Sequence, residues 1–133
     1  MDDSTTSLRA ASYAAGLARR QGASVTAVYV APIASLGAGT PGGASLIATQ
    51  RQATHEIAEG LRRRAEEASG DLGIPVTFIA AEGDPYTELR RIADEIRADA
   101  VVVGASAKAG HRLIGSLAVR LVRAGRWPVT VVP

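Results

Sequence analysis

Apolar positions along this chain change their period several times, and the changes mark its elements. Leu8, Ala11, Ala15 and Ala18 recur at helical spacing, behind Ser4 or Thr5 as N-cap and ahead of Gly22 as a stop. They predict a helix over residues 5–21 whose small apolar face suits close packing on a sheet. Residues 24–31 (SVTAVYVA) are rich in β-branched side chains and end at Pro32, which reads as a strand. The Pro/Gly/Ser-rich run 32–44 reads as a loop. Leu46, Ala53, Ile57, Leu61 and Ala65 then predict a long helix over 45–68, these residues inward and Arg62, Arg63, Arg64, Glu66 and Glu67 largely outward. A turn over 70–75 leads to a strand at 76–81, and Gly83-Asp84-Pro85 breaks the chain before a helix at 86–97. Asp99 precedes a strand at 100–104, a helix covers 116–124 up to Gly125, and 128–132 forms the last strand.

Helices that alternate with strands imply an α/β fold, a parallel sheet covered on both faces. The 133 residues suffice for one domain with a buried core and leave no room for two. The order opens on a helix, whereas a right-handed crossover sheet normally opens on a strand. The sequence therefore predicts that the opening strand is missing.

Composition removes several function classes. A formal charge of +2 is a small excess, and Arg alternates with Glu along the middle helices, so nucleic acid is not demanded as a partner. Aromatic residues make up 4% of the chain, namely Tyr13, Tyr29, Phe78, Tyr86 and Trp127, too few for base-stacking platforms. The absence of cysteine excludes disulfides, a thiol nucleophile and a thiolate metal site. Neither a signal peptide nor a membrane span is evident, and the expected location is the cytoplasm.

Candidate chemistry gathers in the last third of the chain. A strand ending at Gly104 runs into a loop with Lys108, Gly110, His111 and Arg112, and Gly115-Ser116 opens the next helix. Free amides and the positive end of a helix dipole at Ser116 suit a phosphate, with the loop cations to neutralise it. After Asp99 the sequence carries Lys108, Arg112, Arg120, Arg123 and Arg126 but no carboxylate, so an anionic ligand is expected. The Walker A pattern fails, because Ser116 follows Gly115 where lysine is required, and dinucleotide-binding glycine spacing is absent. Ser106 in Gly104-Ala105-Ser106-Ala107 makes half of a hydrolase elbow, but Lys108 replaces its last glycine and no acid follows to complete a triad. His55 and His111 have no metal-ligand spacing; His55 reads as helix surface, His111 as loop surface or as a phosphate partner. Asp2 and Asp3 fit favourable charge at a helix N-terminus, or a carboxylate that accepts hydrogen bonds from ribose or adenine.

In order and spacing, several pieces together resemble a universal stress protein domain over essentially the whole chain. They are Asp2-Asp3-Ser4 before an Ala-rich helix, Val28-Tyr29-Val30 ending a strand, Gly83-Asp84-Pro85, and Asp99 before Val101-Val102-Val103-Gly104. Gly115-Ser116 and Trp127-Pro128-Val129-Thr130-Val131-Val132-Pro133 complete the set. The resemblance implies a Rossmann-like fold of the adenine-nucleotide alpha-hydrolase type, with parallel strands in the order 3-2-1-4-5, here without the first strand. Loss of that central strand would leave two inner edges, to be closed by direct pairing of the family's second and fourth strands or by a borrowed strand. A form extended by roughly ten residues ahead of Met1 is then expected to be the more stable, by analogy with other unpaired edges.

By the same resemblance, the nucleotide-binding branch of the family implies roles for Asp2, for Val30 at the strand end, and for a loop of pattern G-x2-G-x9-G-[ST]. Gly104 matches the first glycine and Gly115-Ser116 the closing pair. Ala107 replaces the second glycine, and ten residues separate Gly104 from Gly115, two fewer than in the pattern. Gly110 offers a substitute flexible point. The implied ligand is ATP or AMP, with Mg only alongside the nucleotide, in a non-enzymatic stress-response regulator. The alternative is a nucleotide-independent module that dimerises through the strand Val129–Val132. Nucleic acid and membrane are not expected partners.

Overall fold

The computed structural model describes residues 1, 4–34, 39–105 and 115–133. Its elements follow in the order α1 (Thr5–Gln21), β1 (Val25–Ala31), α2 (Gly43–Leu72), β2 (Val76–Glu82), α3 (Pro85–Glu95), β3 (Val101–Gly104), α4 (Ser116–Ala124) and β4 (Val129–Val132). Helix–strand alternation is as the sequence predicts, with boundaries moved by a few residues. The largest shift is in α2, which runs through the predicted turn at Gly70 and stops at Gly73. There a backbone φ of 64° ends the helix, and the Gly73 amide donates to the Ser69 carbonyl at 3.1 Å.

The described strands form two separate parallel pairs. Strand β1 lies beside β2, with Val25 opposite Val76 and Ala31 opposite Glu82; β3 lies beside β4, with Val101 opposite Val129 and Gly104 opposite Val132. Direct pairing of β1 with β3, one of the two expected ways to close the sheet, does not occur among the described residues. Helix α1 joins the pairs. It begins against the carboxyl end of β3, where Thr6 and Ser7 meet Gly104, and it ends next to the amino end of β1. All four strands consequently point the same way.

Side chains bury in two clusters that match the two strand pairs. Tyr29, Ala31, Ala58 and Leu61 form the first, with Met1 and Phe78 packed against them. Ala93, Val101 and Leu121 form the second, surrounded by half-buried neighbours that include Tyr86, Leu89, Leu117 and Trp127.

Part of the predicted inward face lies outside. In α1, Ala10 and Ala18 are buried while Leu8 is 40% exposed. In α2, Leu61 and Ala65 are buried, but Leu46 and Ile57 are 54% and 43% exposed and Ala53 is exposed too. The reason is length. Thirty helical residues span about 45 Å, whereas the seven-residue strands beneath span about 23 Å, so the front of α2 overhangs the sheet.

Candidate functional site

The carboxyl ends of β1 and β3 lie on one side of the molecule, and in open α/β sheets ligands bind outside the carboxyl ends of the strands. Val30 is half-buried and is the next-to-last residue of β1. Gly104 ends β3 under very close contact. A Cβ on it would lie 2.7 Å from the carbonyl carbon and oxygen of Thr6 and 3.1 Å from the Ser7 amide nitrogen. Only glycine lets the first turn of α1 rest on the strand end, so this residue fixes how α1 enters the site.

Gly115 is the N-cap of α4, with extended φ and ψ of −62° and 156° and no side chain to accept from the helix. The first intrahelical bond runs from the Val119 amide to the Gly115 carbonyl at 3.1 Å. The amides of Ser116, Leu117 and Ala118 lie within the first turn, and Ser116 is exposed. Helix α3 begins quite differently. Asp84 caps it, accepting from the Thr87 amide at 2.9 Å and the Thr87 hydroxyl at 2.7 Å. These bonds, the hydroxyl's first, hold the Asp84 carboxyl below its usual pKa of 3.8, and Arg120 adds to them.

Arg120 corrects the reading of the charge pattern. The sequence after Asp99 has no carboxylate, but the fold brings two, Asp84 at the N-cap of α3 and Asp94 within it. Arg120 reaches Asp84 at 3.3 Å and stacks over the Tyr86 ring at 4.2 Å, while Arg126 meets Asp94 at 2.9 Å. Two of the five expected anion-attracting cations, one on α4 and one just after it, are thus engaged with α3 and its N-cap. The pairing was not legible in sequence, because it depends on how two helices far apart in the chain dock. The cap at Asp84 was, since Gly83-Asp84-Pro85 has the form of a helix start.

Of the expected site residues, the structure places Val30, Gly104, Gly115 and Ser116. Asp2, Ser106, Lys108, Gly110, His111 and Arg112, with Ala107, lie outside the described residues. His55 is on the exposed surface of α2, as expected. Among the described residues no cluster of His, Asp or Glu could hold a metal ion, and no helix is long and apolar enough to cross a membrane.

Comparison with known proteins identifies the family and the fold. The sequence model of the universal stress protein family matches residues 1–133. A universal stress protein of Methanocaldococcus jannaschii is 31% identical over 133 residues, spanning 98% of this chain and 77% of the relative. The solved structure of universal stress protein UspA from Lactobacillus plantarum superposes with a TM-score of 0.82 at 22% identity, covering 100% of this chain and 93% of that one. A universal stress protein solved in complex with cAMP gives a TM-score of 0.70 at 23% identity, covering 100% and 92%. With its alternating α/β order, parallel strands and whole-length match, the chain belongs to the universal stress protein family.

Proposed function

We propose that this chain is a non-enzymatic regulatory domain, working in the cytoplasm, that holds an adenine mononucleotide at the carboxyl ends of β1 and β3. The observation that carries the reading is the start of α4, which follows β3 and opens on Gly115 with no capping side chain. Its first-turn amides and the positive end of its dipole suit a phosphate group. Gly104, pressed on α1, sets the floor of the same site. In this reading Lys108, His111 and Arg112 neutralise the phosphate, Ser106 and Gly110 shape the loop around it, and Asp2 with the end of β1 at Val30 receives the ribose and adenine. ATP or AMP is the ligand, with Mg only alongside a triphosphate. The cAMP held by a structural neighbour supports the ligand class.

Calorimetry with ATP, ADP, AMP and cAMP tests the proposal. Binding tighter than millimolar is expected for at least one; none at millimolar concentration, a binding energy of only about 4 kcal/mol, would overturn it. Ser116→Pro sharpens the test. Proline suits the first position of a helix, and the extended Gly115 before it is the conformation that a following proline requires. The variant should fold normally and lose roughly tenfold or more in nucleotide affinity, the worth of one hydrogen bond to a charged group.

A second reading rests on β4. All four of its residues are half-buried, and among the described residues β3 is the strand it pairs with, so its other edge can meet the same edge of a second copy. A chain that stays monomeric at high concentration by light scattering would count against a homodimer through Val129–Val132.

A further inference from the structure

We propose that Arg120 is shared between Asp84 and the phosphate chain of the nucleotide, on the reading that this chain lies at the start of α4, and that the sharing makes the site favour nucleoside polyphosphates over mono- and cyclic phosphates. Helices α3 and α4 pack against each other, and each leads into one of the parallel strands β3 and β4, so their starts lie toward the same end of the molecule. The start of α3 has its own anion, the Asp84 carboxylate; Gly115 gives the start of α4 none. Arg120 stands between them. It follows Ser116 by one helical turn, about 6 Å along the axis, on the same side of α4. Side chains on a helix lean back toward its start, so the Arg120 stem runs toward that end of α4, and its head reaches Asp84 across the helix pair.

The tie to Asp84 is loose. Both contacts come from one nitrogen, Nη1, at 3.3 and 3.5 Å, longer than the about 2.7–2.9 Å of a good guanidinium–carboxylate bond. The nearby pair of Arg126 and Asp94 has two contacts at 2.9 Å. Asp84 also depends little on Arg120, since its Oδ2 already accepts from the Thr87 amide and hydroxyl. The Arg120 head is supported instead by the Tyr86 ring, which it covers at 4.2 Å, and half of its side chain is open to solvent. Release from Asp84 therefore leaves the α3 cap whole and gives up only a weak, exposed ion pair. A phosphate on the α4 amides offers the guanidinium a stronger acceptor, and the attraction grows with every further phosphate charge within reach.

Calorimetry with ATP, AMP and cAMP on the whole chain tests the sharing. Arg120→Gln should weaken ATP binding by about fivefold and cAMP binding by less than about twofold, with AMP between them. Arg123→Gln, an exposed cation farther along α4, should leave that order and both affinities unchanged. Asp84→Asn keeps a capping oxygen but no longer holds Arg120, so it should tighten ATP binding by about twofold. That gain should disappear when Arg120→Gln is added, because the two substitutions act on one contact. Equal losses for ATP and cAMP in Arg120→Gln would overturn the proposal, as would an equal loss in Arg123→Gln, which would mark a general field of the helix. An Asp84→Asn gain that survives Arg120→Gln would show that Asp84 acts through its own charge, and would overturn the sharing too. Binding that none of these variants alters overturns the sharing alone, whereas no binding of any of the three nucleotides by the unaltered chain overturns the nucleotide reading and the sharing with it.

Discussion

The half of the molecule built on β1 and β2 and the half built on β3 and β4 are held together by different means. The first has seven residue pairs in register but a small buried cluster of Tyr29, Ala31, Ala58 and Leu61, with α2 overhanging its far side. The second has only four pairs, yet Leu121 is wholly buried at its centre, many half-buried side chains surround it, and two ion pairs tie α4 and its exit loop to α3. The first half thus has the longer ladder and the second the wider surround of half-buried side chains. The candidate site lies where they meet, at the strand ends that α1 spans.

Truncation of the second core should have the largest effect. Leu121 is 0% exposed and Leu61 is 1% exposed, so each truncation to Ala leaves a cavity and costs about 2–5 kcal/mol. Leu121→Ala should fall toward the upper end, because four-residue strands have little ladder to compensate, and Leu61→Ala toward the lower. Urea unfolding gives the two energies. A larger loss for Leu61→Ala would reverse the contrast between the halves.

Next in size is the junction. Gly104→Ala places a carbon against the backbone of Thr6, where no flexible side chain can move aside, so α1 or β3 must shift at a cost of about 1–3 kcal/mol. Hydrogen exchange should quicken in β3 and at the start of α1 and stay unchanged in β2. A neutral Gly104→Ala would mean that α1 does not fix the relation of the two halves.

How much of this the sequence disclosed follows from the range of the forces involved. Element type depends on local periodicity and local stops, and Ser4, Gly22, Asp84 and Gly125 mark helix ends by side-chain acceptors or by left-handed glycine. The sheet was only partly legible. Parallel strands could be inferred from element order, but that β1 and β3 are not paired among the described residues depends on where α1 packs. Burial along α2 was misread at Leu46 and Ile57 because helical periodicity records an apolar stripe, not how far the sheet beneath it extends. At the candidate site, Val30, Gly104 and Gly115-Ser116 were named from the family resemblance, and they stand near the end of β1, at the end of β3 and at the start of α4. The engagement of Arg120 and Arg126 was not foreseen, since opposite charges on docked helices leave no local pattern.

The smallest effect concerns the exposed tie between α3 and α4. Asp84 has a lowered pKa in the folded chain, so its contribution to stability is present above the unfolded value of 3.8 and disappears as pH falls through the folded pKa. Asp84→Asn retains a side-chain oxygen able to cap α3 but removes the charge that Arg120 and the Thr87 donors meet. Wild type should therefore melt slightly higher than Asp84→Asn at neutral pH, and the gap should close on acidification below 3.8 as the native carboxyl takes up its proton. Arg120→Gln should remove part of the neutral-pH advantage while leaving the acid limit alone, because Thr87 and not Arg120 is the main cause of the lowered pKa. Both side chains are about half exposed, which keeps the effect to a small shift in Tm and makes it weaken further in salt. A melting difference between wild type and Asp84→Asn that is constant across pH would show that the cap acts through its shape alone, and the charged tie between α3 and α4 would then not contribute to holding the second half together.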